Sequence, residues 1–177
     1  MTKTPATLVT GGSNGIGAAI LADRQRRGET VINMDRVASD ASPAVDCTVD
    51  LSDTAALHTA LVEIAESYDV TRVVNSAGVA LLSTLEAFEG DAFRRSMEIN
   101  VLAPALIVQA CLPAMKAHRF GRVVNIASRA ALGRALRTSY AGSKGALISA
   151  TRVWALELGE HGITCNAIGP GPIATEL

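Results

Sequence analysis

The segment Thr10-Gly11-Gly12-Ser13-Asn14-Gly15-Ile16-Gly17 constrains this chain more than any other. It follows Ala6-Thr7-Leu8-Val9-Thr10, a short apolar, β-branched run of the kind that forms a buried parallel strand. It leads into Ala18 to Arg27, which reads as a helix, and then a second strand, Thr30 to Met34, ending at Asp35. Glycines let the backbone turn sharply and approach an anion closely. The helix that follows offers free N–H groups and the positive end of its dipole to the same anion. Strand, glycine turn, helix and strand together are the setting in which such a turn is read as a dinucleotide site. Gly11, Ser13, Asn14, Gly15, Ile16 and Gly17 are therefore candidate cofactor contacts.

Asp35 ends the second strand about 20 residues past the turn, where an acid accepts hydrogen bonds from an adenosine ribose. A carboxylate there repels a 2′-phosphate, which favours NAD over NADP. The neighbouring Arg36 pulls the other way, because a guanidinium pairs with phosphate. No lysine or arginine lies within Gly11 to Gly17 to assist a phosphate, so NAD is expected.

Strand-like and helix-like segments alternate through the rest of the chain. Ala44 to Val49, Arg72 to Asn75, Arg122 to Ile126 and Thr164 to Ile168 read as strands. Thr54 to Ser67, Gly90 to His118 and Ser139 to Gly159 read as helices. This alternation predicts an α/β fold, a doubly wound parallel sheet in one domain over residues 1–177. Hydrophobic residues make up 49%, charged residues 19%, and the formal net charge is −1, so there is no basic field for nucleic acid or an anionic membrane. The apolar stretch Leu102 to Met115 carries Pro104, Gln109 and Pro113 and is too short to span a bilayer. Cys47, Cys111 and Cys165 lack metal-ligand spacing and are expected as reduced thiols in a cytoplasmic protein. His58, His118 and His161 are equally scattered, and no metal site is expected. The first strand begins so early that no signal peptide is expected.

Tyr140 and Lys144 stand at i and i+4 in Tyr140-Ala141-Gly142-Ser143-Lys144, so on a helix they share a face. An unperturbed phenol ionises near ~10, too high for acid–base work at neutral pH. A cation about 4 Å away, at an effective dielectric of ~20, is worth roughly 4 kcal/mol, or about three pKa units. A surface Tyr/Lys pair would show the same spacing; the other motifs decide between the two readings.

Taken in order, Thr10 to Gly17, Asp50, Asn75-Ser76-Ala77-Gly78, Asn100, Ser128, Tyr140 with Lys144, and Pro170-Gly171 resemble the compact branch of the short-chain dehydrogenase/reductase family. Three residues between Gly11 and Gly15 separate the chain from the extended epimerase and dehydratase branch. The resemblance implies a Rossmann fold with six strands, the final family strand missing. It implies an NAD(P)-dependent oxidoreductase that exchanges hydride with a secondary alcohol or ketone. Tyr140 would be the acid/base, Lys144 would tune it and bind the nicotinamide ribose, and Ser128 would hold the substrate oxygen. Asn100 would keep a helix locally open and support a water leading from Lys144 to solvent. Asp50 and Leu51 would meet the adenine, Asn75, Ala77 and Gly78 the adenosine-ribose side, and Pro170, Gly171, Ile173 and Thr175 the nicotinamide end. A homodimer or homotetramer is also implied, pairing the helix after Tyr140, rich in small residues, and the helix near Pro104 to His118.

Ser76 stands where the family often has a second asparagine. Family members also continue past the point matching Leu177 through a substrate-covering helical region and a strand. The expectation is therefore a cradle and catalytic quartet without a complete substrate pocket. A non-catalytic nucleotide-binding or oligomerisation module is the alternative that this leaves. The substrate is expected to be a small alcohol or carbonyl compound. Val79 to Leu82 and Ala130 to Leu132 hint at an apolar pocket. Arg129, Arg134 and Arg137 either meet an anionic substrate group or are solvated loop residues.

Overall fold

The computed structural model describes residues 3–39 and 45–173. Its backbone is one parallel sheet of six strands in the order β3-β2-β1-β4-β5-β6. The strands are β1 (Thr4–Thr10), β2 (Thr30–Asp35), β3 (Val45–Thr48), β4 (Tyr68–Asn75), β5 (Gly121–Ile126) and β6 (Ile163–Ile168). Between them run α1 (Gly15–Arg26), α2 (Thr54–Ser67), α3 (Gly90–Met97), α4 (Ala103–Ala117) and α5 (Thr138–Leu158). The strand order reverses between β1 and β4, and a doubly wound sheet of this order opens a crevice beyond the strand carboxyl ends at that point.

Alternation along the strands sorts the side chains between two faces. Leu8 of β1 and Ile32 of β2 join Leu57, Ile107 and Met115 in the main core under α2 and α4, where Leu158 of α5 also packs. Their neighbours Val9 and Val31 turn the other way and meet Leu21 of α1. Both faces are apolar, as a buried parallel sheet requires.

Several boundaries differ from the sequence reading, each for a local reason. The first helix begins at Gly15, because the Asn14 side chain accepts the Gly15 N–H (2.6 Å) and caps it inside the glycine turn. β4 begins at Tyr68, four residues early, since Asp69 and Thr71 hid its start among polar residues. Ala44, expected to open the third strand, lies outside the described residues. From Gly90 to Ala117 the chain is continuously helical for 28 residues, in line with the reading of Gly90 to His118, and the whole run, unlike Leu102 to Met115 alone, is long and apolar enough by composition to cross a bilayer. Ala103, Pro104, Ile107, Val108, Cys111 and Met115 of that run are buried. Its apolar face is thus used in packing against the sheet and α2.

Candidate active site

A cleft of about 1130 Å³ lies along the carboxyl ends of the strands. It is lined by Gly11, Asn14, Gly15 and Ile16 after β1, Asp35 after β2, Asp50 and Leu51 after β3, and Ala77 and Gly78 after β4. Ser128 follows β5, Tyr140 and Lys144 come from α5, and Pro170, Gly171 and Ile173 follow β6. Residues scattered from one end of the sequence to the other thus share one cavity.

The glycine turn is built for close backbone contact. A Cβ at Gly17 would lie 2.0 Å from the Gly11 carbonyl oxygen, so the helix start can pack on the turn only without a side chain. Gly11 has φ +67 and sits against Ala77, where a Cβ would come within 2.9 Å of that residue's backbone. Thr10 Oγ1 accepts the N–H groups of Ser76 and Ala77, both at 3.0 Å, and ties the loop after β4 to this turn. Asp35 is linked to the turn as well, its Oδ2 accepting the Ser13 N–H at 3.1 Å. Ser13, expected as a cofactor contact, is not among the cleft-lining residues. Its hydroxyl donates to the Val37 carbonyl (2.7 Å) and accepts from Asn33 (3.0 Å), so it braces the turn.

Asp50 Oδ1 accepts both the N–H and the hydroxyl of Ser52. Those bonds, more than the distant Arg95 and Arg36, hold its carboxyl below the ordinary carboxylate range. Asn75 sits elsewhere than expected. It is 1% exposed, and its amide donates to Asn125 Oδ1 at 2.8 Å, bracing β4 against β5 instead of lining the ribose side. Asn125 in turn donates to Thr151 Oγ1 of α5 at 2.8 Å. Thr175 lies outside the described residues.

The catalytic candidates are joined by a buried polar network. Asn100 falls in a π-helical turn, Glu98–Leu102, between α3 and α4. Such turns are rare and tend to mark functional sites. Its Oδ1 accepts the Val79 N–H (2.9 Å), and its Nδ2 donates to the Val79 carbonyl (3.0 Å) and to Ser143 Oγ (2.9 Å). Ser143 donates to the Tyr140 carbonyl at 2.9 Å. The side chain expected to support a water beside Lys144 is thus a clamp between the loop after β4 and the Tyr140 turn of α5. Ser143, inside the Tyr/Lys pentapeptide, was not singled out from the sequence; its place between Tyr140 and Lys144 was the available signal.

Lys144 is 3% exposed, and its ammonium donates to the Ile126 carbonyl at 2.6 Å. Burial brings its pKa down from 10.5 to about 8. Nζ lies 5.9 Å from the centre of the Tyr140 ring, and a Cβ at Gly78 would stand 3.2 Å from it. Ser128 opens a short 3-10 turn, Arg129–Leu132, its Oγ accepting the Ala130 N–H at 3.1 Å. The cleft thus holds a hydroxyl, a phenol and a buried ammonium beside a glycine cradle.

A family model described as short chain dehydrogenase matches residues 5–177. The chain belongs to the short-chain dehydrogenase family. An uncharacterised oxidoreductase of Bacillus subtilis (strain 168) is 32% identical to this dehydrogenase-family chain, covering 96% of it and 71% of the relative. A protein described as an NAD-dependent glycerol dehydrogenase, from Listeria innocua, is also 32% identical, over 96% of the chain and 71% of its own length. Among solved structures, 4-hydroxyisoleucine dehydrogenase complexed with NADH superposes with a TM-score of 0.91 at 28% identity, over 98% of this chain and 78% of that one. The family is one of oxidoreductases with a Rossmann fold, and the chain shares both.

Cys47, Cys111 and Cys165 are not among the residues that line the cleft. Burial pushes the Cys111 thiol up to about 12 and Cys165 up to about 11, and both are packed in the core. Among the described residues, no three of His, Cys, Asp and Glu gather where a metal ion could sit.

Proposed function

We propose that the protein interconverts a secondary alcohol and a ketone with a nicotinamide cofactor, NAD in preference to NADP, with Tyr140 as acid/base. The observation that carries this reading is the meeting of Ser128, Tyr140 and buried Lys144 in the cleft that also contains the glycine turn. The residues fit the cofactor. The turn admits no Cβ at Gly11 or Gly17, and its backbone is exposed to the cleft beside the start of α1. Gly11, Asn14, Gly15 and Ile16 would hold the pyrophosphate, Asp35 the adenosine ribose, Asp50 and Leu51 the adenine, and Pro170, Gly171 and Ile173 the nicotinamide end.

When bound, the nicotinamide supplies the hydride acceptor or donor. The chain's own residues do the rest. The Ser128 hydroxyl holds the substrate oxygen. The Tyr140 hydroxyl takes the alcohol proton during oxidation and returns it to the carbonyl oxygen during reduction. The Lys144 ammonium, fixed by Ile126, holds a positive charge 5.9 Å from the centre of the Tyr140 ring. The Asn100–Ser143 clamp sets the position of the Tyr140 turn. The NAD-linked glycerol dehydrogenase relative and the NADH-bound neighbour support the choice of cofactor. Val153 and Leu156, 48% and 85% exposed on α5, support a homodimer or homotetramer through that helix.

Tyr140→Phe tests the assignment. Expected is a fall in kcat of at least about 100-fold with cofactor affinity nearly unchanged in a fluorescence titration of NADH. Turnover close to that of the unmodified protein would refute it.

A further inference from the structure

The lining of the cleft carries more cations than acids, and the excess lies on one side. Among the described residues its acidic lining residues are Asp35, at the end of β2, and Asp50, just beyond β3, and Arg36 and Arg95, whose charges act on Asp50, line that half as well. On the opposite half, between Ser128 and Tyr140, three arginines line it: Arg129, Arg134 and Arg137. None of the three has an ion-pair partner among the described residues, a feature they share with Arg36 and Arg95 and that sets them apart from Arg24, Arg26, Arg27 and Arg94. The Arg137 guanidinium lies 5.8 Å from the centre of the Tyr140 ring, so a positive charge stands beside the reacting hydroxyl's own ring.

The segment carrying these arginines is anchored on both sides. The Arg129 N–H donates to the Pro170 carbonyl at 3.0 Å, and the Ser83 N–H donates to the Leu136 carbonyl at 3.1 Å. Leu136 itself has φ 65, a left-handed conformation that is strained for a branched side chain. Such strain persists where the surroundings hold it, and it tends to accompany a functional constraint. The residue that follows it, Arg137, is the one beside the Tyr140 ring. Beside the arginines, Leu132 is 88% exposed and lines the same cavity with Val79 and Ala80, an apolar wall next to unpaired cations.

We propose that this half of the cleft is an anion site. Arg134 and Arg137 grip a carboxylate or phosphate on the substrate, Arg129 reinforces their field, and the apolar wall takes the carbon skeleton. The substrate class is then a hydroxy acid or keto acid, or its phosphate counterpart. This rests on the oxidoreductase reading and narrows it. For a simple member of the class, 3-hydroxybutyrate and NAD⁺ would give acetoacetate, NADH and one proton.

The test compares kcat/KM for 3-hydroxybutyrate and its neutral amide, with NAD⁺, in the unmodified protein and in Arg134→Gln and Arg137→Gln. The acid is expected to be preferred by at least about ten-fold, and each substitution to lower that preference by about ten-fold or more, the scale of one charge-assisted hydrogen bond. Equal use of acid and amide, or a preference that the substitutions leave unchanged, overturns the anion site. If no member of a secondary-alcohol panel turns over, the hydride-transfer reading has failed, and the anion site is then decided by binding. NADH-loaded protein is titrated with butyrate, propyl phosphate and butyramide, followed by NADH fluorescence. Tighter binding of either anion, weakened in Arg134→Gln, supports the site, and the stronger anion identifies which group it takes. Equal binding of all three compounds overturns it.

Discussion

Replacing Lys144 by Met separates the cost of burying a charge from its use. The ammonium is 3% exposed, and burial lowers its pKa from 10.5 to about 8. At 1.36 kcal/mol per pKa unit, the folded protein bears a penalty of roughly 3 kcal/mol for keeping that lysine protonated at pH 7. The sign follows from proton counting. Between pH 8 and 10.5 the unfolded chain holds the lysine proton and the folded chain has released it. This group therefore makes stability rise with pH in that window and adds its full penalty below pH 8. Methionine has a similar length and no charge, but it leaves the Ile126 carbonyl without its 2.6 Å donor, which returns about 1–3 kcal/mol of the gain. Lys144→Met is thus expected to be inactive yet as stable as the parent at pH 7, or more stable by about 1–2 kcal/mol. That advantage should shrink by about 1.4 kcal/mol per pH unit from pH 8 to pH 10. Urea unfolding of both proteins at fixed concentration and several pH values, without cofactor, measures it. A stability difference that stays flat from pH 7 to 10 would refute the reasoning.

Gly17→Ala places a methyl 2.0 Å from the Gly11 carbonyl oxygen, and it should abolish NADH binding in a fluorescence titration while lowering stability by about 1–3 kcal/mol. Asp35→Ala should reduce the NAD-to-NADP ratio of kcat/KM by about ten-fold or more; an unchanged ratio would mean that Asp35 does not meet the ribose. Asn100→Ala strips both Val79 backbone groups and Ser143 of a buried partner. It should cost about 2–4 kcal/mol in urea unfolding, with kcat falling alongside, and a loss under about 0.5 kcal/mol would show the clamp carries little.

The order of elements was legible because each rests on a local signal. Apolar β-branched runs marked the strands, glycines between strand and helix marked the cradle, and Leu57, Leu61 and Ile64 gave α2 its buried stripe. The i, i+4 spacing put Tyr140 and Lys144 on one side of α5, because helix geometry alone fixes that relation. What lies between distant segments was not legible. Nothing local distinguishes Asn75, which turns into the sheet toward Asn125, from Ala77 and Gly78 beside it, which face the cleft. Asn100 and Val79 meet only because a π turn and the loop after β4 converge. Ser13 became a brace because Val37 and Asn33 come within reach of its hydroxyl. The sequence by itself determined the parallel α/β sheet, the glycine cradle and the Tyr/Lys pair, since these follow from backbone sterics and helical period. Only the tertiary structure decided that Lys144 is desolvated against Ile126, and that Arg129, Arg134 and Arg137 line one cavity with Tyr140. Burial and the sharing of a cavity depend on which remote segments pack together, and local spacing carries no record of that.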